Sequence, residues 1–210
     1  CCSLTQMTIP QSVTEIEKNA FLCCRSLFAV SFPSSIVKIN DHAFCGCVKL
    51  VEVAIPPSIT DIDEFTFEGC KSLKKISIPS SVKTIGQYAF EGCISLTDID
   101  SLNSVVEIGE CAFLNCTSLK EITLSNIEVI MPNTFKGCSS LEKVTFTVTV
   151  LKRIEDSAFR ECKNLKMFNI PSSVTFIGTF AFKDCSKKLH LDIPPSVIVD
   201  ENEDPKKSGR

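Results

Sequence analysis

Cysteine is the residue type in this sequence with the greatest chemical potential, because the chain contains 13 cysteines and only 2 histidines. Nine of the cysteines recur at intervals of 22–24 residues: Cys1, Cys24, Cys47, Cys70, Cys93, Cys116, Cys138, Cys162 and Cys185. A column of this kind could form disulfides, bind metal ions or pack as buried thiols. Its chemistry therefore depends on how the chain positions it.

The whole-repeat spacing favours buried free thiols. Strands in successive repeats lie about 4.8 Å apart, so neighbouring thiols are within reach, but their Cβ vectors run parallel, which is a poor geometry for a disulfide. A zinc site at Cys45 and Cys47 is disfavoured, because the pair is not C-x-x-C and no second pair accompanies it. The odd total leaves at least one thiol unpaired or bonded to another molecule, and four cysteines lie outside the column: Cys2, Cys23, Cys45 and Cys111.

The sequence contains no constellation typical of catalysis. His42 and His190 are more than six repeats apart, so they cannot share a site. There is no Gly-rich phosphate loop, no H-E-x-x-H motif and no distinctive carboxylate pair. The Asn115-Cys116-Thr117 sequon is interpreted as a turn, because its Asn occupies the position that Gly holds in other repeats. We therefore predict a protein without enzymatic activity, metal or cofactor.

Composition excludes two further classes. With 22 basic and 25 acidic residues and a net charge of −3, the chain lacks the electrostatic footprint of a nucleic-acid-binding protein. No apolar run approaches the length of a membrane span. No signal peptide is visible, but the sequence begins in mid-repeat without Met, so secretion stays open.

A repeated unit positions the cysteine column. It reads L-x-x-I-x-I-P, then a Ser turn, an aliphatic pair and the segment A-F-x-x-C, as in Leu73–Cys93. Alternating aliphatic residues predict a β-strand that Pro ends, and the A-F segment predicts a helical or 3₁₀ turn. The recurring Phe predicts a core column: Phe21, Phe44, Phe67, Phe90, Phe113, Phe135, Phe159 and Phe182.

The combined motif resembles the BspA-like subclass of leucine-rich repeats, which is found in bacterial and protist surface antigens. The resemblance covers residues 1–199 and implies a single α/β solenoid. Each 23-residue repeat would supply one parallel β-strand, with short helical or 3₁₀ segments on the opposite side. Residues 200–210 are predicted to form a charged, disordered tail. The resemblance also implies adhesion to host or matrix proteins and a location at the cell surface.

Two repeats depart from the regular length. The turn is one residue short between Leu124 and Ile130 and one residue long between Phe146 and Ile154, and Pro is absent from both. Because the two changes cancel, we expect the strands to stay in register. Near the end, Lys188 replaces the repeat Leu, which indicates a degraded final unit.

The outward-facing residues of the strands are the predicted binding surface for a protein ligand, because curved solenoid faces bind proteins. Its amino-terminal part is apolar and its middle carries both charges; the candidates are Phe28, Val51, Glu52, Lys74, Lys75, Asp98, Asp100, Lys120, Glu121 and Lys143. An intracellular scaffold or regulatory subunit is the alternative function, favoured if the cysteines are reduced in the cytoplasm. Self-association through solenoid ends or strand edges is also predicted.

Overall fold

The chain winds into a β-solenoid of stacked coils. The structure, a computed structural model, describes residues 3–99, 102–148 and 150–200. Cys1, Cys2, Asp100 and the tail segment 201–210 lie outside the described residues. Two sets of parallel strands run along the stack, one more set than the sequence motif predicts.

The first set comes from the alternating aliphatic motif: β1 (Gln6–Thr8), β3 (Ala29–Ser31), β5 (Glu52–Ala54), β7 (Lys75–Ser77), β9 (Asp98–Ile99), β11 (Glu121–Leu124), β13 (Lys143–Phe146) and β15 (Met167–Phe168). Its strands form two sheets, β1-β3-β5-β7-β9 and β11-β13-β15, joined by a bridge between Leu102 and Leu124. Within each sheet, a strand pairs with the equivalent strand one repeat later, as Glu52 does with Lys75.

The second set contains only two-residue strands: β2 (Glu15–Ile16), β4 (Lys38–Ile39), β6 (Asp61–Ile62), β8 (Thr84–Ile85), β10 (Glu107–Ile108), β12 (Val129–Ile130), β14 (Arg153–Ile154), β16 (Phe176–Ile177) and β17 (Ile198–Val199). In each strand up to β16 the second residue is a buried Ile. Two residues are too short to show an alternating pattern, so the sequence did not reveal this set.

The predicted solenoid of parallel strands is confirmed, but its helical or 3₁₀ segments are not: the A-F segments are turns, and the described residues contain no helix. Glu68 N–H donates to the Phe65 carbonyl in its own coil, whereas Phe67 N–H donates to the Ala89 carbonyl in the next coil. Each coil has a positive φ at two positions four residues apart, for example 56° at Phe65 and 65° at Gly69. Because alternate N–H groups bond between coils, they are unavailable for helical bonds. We call this side of the solenoid the turn ladder.

The recurring Phe side chains form the centre of the core. Their rings stack from coil to coil with nearly parallel planes and centroids 5.1–5.7 Å apart. Seven of the eight are buried, and Phe21 in the first coil is partly buried. Phe168 of β15 meets the rings of Phe159 and Phe182 edge-on at 5.0 Å. The first strand set and the turn ladder therefore lie on opposite sides of the core.

The irregular repeats stay in register, as predicted. Glu121 pairs with Lys143 across 22 residues, and Lys143 pairs with Met167 across 24. Where Pro is absent the strands extend to four residues, and Thr147 N–H donates to the Leu124 carbonyl at 3.1 Å. Pro could not make that bond, so its absence accounts for the longer strands.

The first set ends one strand earlier than the repeat count suggests. Residues 186–195 contain no strand, although the sequence columns continue through His190 and Asp192. Lys188 is exposed where the other coils bury a Leu, so the segment lacks the anchor that holds a strand against the core. The second set continues one strand further, because β17 pairs with β16.

We expect Phe90→Ala to lower the free energy of unfolding by about 3–5 kcal/mol, because it removes a buried ring from the stack. Ile94→Ala is the control, since Ile94 is apolar but 43% exposed. Urea denaturation of both variants and the parent measures the effect. Equal free energies of unfolding for the Phe90 and Ile94 variants would contradict a stabilising role of the ring stack.

Candidate functional site

The outward side of the first strand set, which we call the strand face, carries the predicted binding residues. Glu52 and Lys75 lie side by side on β5 and β7, and Glu121 pairs with Lys143 on β11 and β13. Lys74 and Lys120 precede these strands and are exposed. Asp98 continues the β7 column on β9, opposite Lys75.

Opposite charges lie side by side on neighbouring coils. Glu52 is paired with Lys75, and Glu121 is paired with Lys143. Cross-strand pairs of opposite charge stabilise a sheet by about 0.2–1 kcal/mol each. Part of the charge pattern on the strand face therefore serves the stability of the sheet, whatever the face binds.

The apolar positions of the strand face occupy two regions. Phe28 is 42% exposed near the amino-terminal end, and Val51 beside it is half-buried. Near the carboxy-terminal end, a cavity of about 250 Å³ opens between β13 and β15, and Met167 at its rim is 60% exposed. The cavity is lined by Lys143, Val144, Thr145, Phe146, Met167, Asn169, Ile170 and Pro171. Of the candidates, only Lys143 lines it.

Sequence reasoning missed this cavity. It forms where β13 runs two residues further than β15, which leaves Phe146 without a paired residue on β15. The missing Pro after Phe146 was the available signal, because an extended strand follows from it.

The column cysteines hydrogen-bond between coils. The Cys93 thiol donates to the carbonyl of Phe67 at 3.2 Å, and that carbonyl also accepts the Cys70 N–H. The same thiol-to-Phe bond, 3.1–3.3 Å long, recurs from Cys47 to Cys185. All eleven described cysteines are free thiols. The column therefore adds weak donors to the packing role expected of a small apolar side chain.

Burial keeps these thiols protonated. It raises the pKa of Cys47 and of Cys138 to about 12, and it raises the pKa values of Cys70, Cys93 and Cys116 as well. A thiol, unlike a thiolate, is neither a nucleophile nor a metal ligand. Within the described ranges, no group of three His, Cys, Asp or Glu side chains is placed to hold a metal ion.

The three described off-column cysteines lie at the turn ladder in different environments. Cys23 is exposed, and Cys45 is half-buried with its thiol 3.2 Å from a carboxylate oxygen of Glu68. Burial and that carboxylate raise the pKa of Cys45 to about 12. Cys111 is buried, and burial also raises its pKa. His42 stacks on Phe65 at 4.5 Å, so it belongs to an aromatic row on the turn ladder.

The repeat is shared with a known protein family. The family model described as the BspA type leucine-rich repeat region matches residues 1–119 and 64–189 in six copies. The chain belongs to this family. It is a leucine-rich repeat protein, and proteins with this repeat and fold are typically non-catalytic modules for protein interaction. No curated protein matches the sequence. None of the described segments forms a helix able to cross a membrane.

Solved structures of bacterial proteins share the fold. A leucine-rich cell surface protein from Faecalibacterium prausnitzii is 33% identical with a TM-score of 0.72; the match covers 90% of this chain and 47% of that protein. The leucine-rich repeat protein of T. pallidum is 30% identical with a TM-score of 0.69, over 88% and 78% of the two chains. The pneumococcal vaccine antigen PcpA, 19% identical with a TM-score of 0.51 over 92% and 61%, shares the fold alone.

The buried thiols generate a prediction about alkaline stability. Folding raises their pKa values above the ordinary value of about 8.5, so the unfolded chain ionises first. Stability is therefore fully present below about pH 8.5 and is lost as the pH rises toward the folded-state values. Each buried thiol contributes about 1.4 kcal/mol of loss per pH unit in that window.

Cys93→Ala should therefore reduce the loss of unfolding free energy between pH 9 and pH 10 by about 1.4 kcal/mol relative to the parent. The control is Cys23→Ala, because Cys23 is exposed. Urea denaturation with reductant at both pH values measures the difference. The same pH dependence in the Cys93 variant as in the parent would contradict burial of a neutral thiol.

Proposed function

We propose that the chain is a non-catalytic binding module that recognises a host or matrix protein through the strand face at a cell surface. The observation that carries the proposal is the strand face itself. It presents exposed lysines and carboxylates beside an exposed Phe28 and a cavity edged by Met167. Protein interfaces combine apolar anchors with a polar surround in this way.

The similarity to a bacterial cell surface protein supports the proposed location. That protein is 33% identical to this chain, but the chain spans only 47% of its length. The repeats themselves supply the surface on which adhesion is proposed.

A second candidate function is an intracellular scaffold. A reducing compartment would keep the exposed Cys23 as a thiol, and that state would favour the scaffold. Labelling of native protein in its own cells with a thiol reagent separates the candidates at the exposed Cys23. Quantitative labelling of Cys23 favours the scaffold, and an oxidised Cys23 favours the cell surface.

Charge reversal tests the strand face. Lys74→Glu with Lys120→Glu should weaken binding to an immobilised panel of purified extracellular-matrix proteins at least tenfold, about 1.4 kcal/mol. Both side chains are exposed, so we expect stability to change by less than about 0.5 kcal/mol. Surface plasmon resonance measures affinity, and urea denaturation measures stability.

Lys83→Glu is the matched control, because Lys83 is equally exposed but precedes β8 in the second strand set. It should leave the affinity unchanged. A loss of affinity in the control alone would contradict recognition by the strand face. Absence of binding to the whole panel would count against a matrix-protein ligand.

A further inference from the structure

One column of the turn ladder separates its charges along the length of the solenoid. We call it the ridge column; in chain order it contains Leu22, Cys45, Glu68, Glu91, Leu114, Lys136, Arg160 and Lys183. The carbonyl of each ridge residue after Leu22 accepts an N–H from the preceding coil, as Glu91 does from Gly69 and Arg160 does from Gly137. These bonds align the column; the Leu22 side chain is exposed, and the other seven are half-buried with part of their surface in solvent.

The charges within two coils of Leu114 are antisymmetric about it. Glu91 and Lys136 lie one coil away on either side, and Glu68 and Arg160 lie two coils away. Neighbours within each half have the same sign. Burial raises the pKa of Glu91, and the negative charge of Glu68 raises it further. The two carboxylates therefore repel each other. Within one chain, neighbouring coils of the ridge column therefore carry like charges.

The outer cations of the column have partners within the chain. Arg160 contacts Glu161 at 3.2 Å, and Lys183 lies over the ring of Phe180 at 4.5 Å. The Cys45 thiol donates to Glu68 without adding charge. Within the described part of the chain, neither Glu91 nor Lys136 forms an ion pair.

We propose that the ridge column is a self-association surface that binds a second copy of this chain in antiparallel orientation. A twofold axis at Leu114 would set Leu114 against its counterpart. Glu91 would then oppose Lys136 of the second copy, and Glu68 would oppose Arg160. Because both copies share one coil spacing, about 4.8 Å, alignment of one pair aligns the others. A twofold interface requires this self-complementarity.

The arrangement leaves the strand faces available. The turn ladder lies across the core from the first strand set, so the two strand faces of the dimer point outward in opposite directions. Such a dimer would present two binding faces and would gain avidity toward a multivalent surface. The proposal does not rest on the proposed function, because it concerns the opposite side of the solenoid.

Single charge reversals and their mixture test the pairing. Glu91→Lys and Lys136→Glu should each raise the dimer dissociation constant at least about tenfold in sedimentation equilibrium at 50 mM salt. An equimolar mixture of the two variants should associate as tightly as the parent. In the mixture every opposing pair is again of opposite sign, whereas each variant alone opposes like charges.

The control is Lys74→Glu on the strand face, which should leave the dimer intact. Circular dichroism verifies that every variant is folded, and the mixture reports pairing even if one variant is weakened. A monomeric parent across the accessible concentrations would overturn the proposal. A mixture of the two variants that fails to associate would also overturn it. So would charge reversals that leave the dimer dissociation constant unchanged, which would indicate association through another surface, such as the strand edges.

Discussion

Hydrogen bonding between successive coils is the constraint on which the rest of the structure depends. Phe67 N–H donates to the Ala89 carbonyl one coil ahead, and the Phe67 carbonyl accepts the Cys93 thiol from that same coil. Each coil therefore satisfies its backbone only when the next coil has the same shape. This requirement fixes the repeat, because a buried coil that departed from it would leave polar groups without partners.

Residues that face the core were predictable because buried positions hold apolar residues that recur at the repeat length. The Phe column and the first strand set followed from the sequence, and so did the cancelling 22- and 24-residue repeats. The turn ladder did not. Phe65 and Tyr88 both have φ of 56°, a conformation that their residue type does not favour. Hydrogen bonds between coils impose this positive φ, and local sequence preferences do not indicate those bonds.

The candidate surfaces were predictable only as positions. The alternation of apolar and polar residues located the outward residues of the first strand set. The cavity between β13 and β15, however, depends on β13 being two residues longer than β15. Charge order adds information that burial does not. On the strand face Glu52 and Lys75 compensate each other within one chain, whereas the ridge column keeps Glu68 beside Glu91. Like charges in neighbouring coils do not neutralise each other, so the ridge column leaves charge for another molecule to neutralise.

The thiol column bears differently on the two locations. Oxidation requires a thiolate and access, and burial denies both to Cys93 and its counterparts. These thiols can persist outside the cytoplasm as well as within it. Cys23 has no such protection, because it is exposed. The number of cysteines therefore does not distinguish the two compartments. The oxidation state of the exposed Cys23 does.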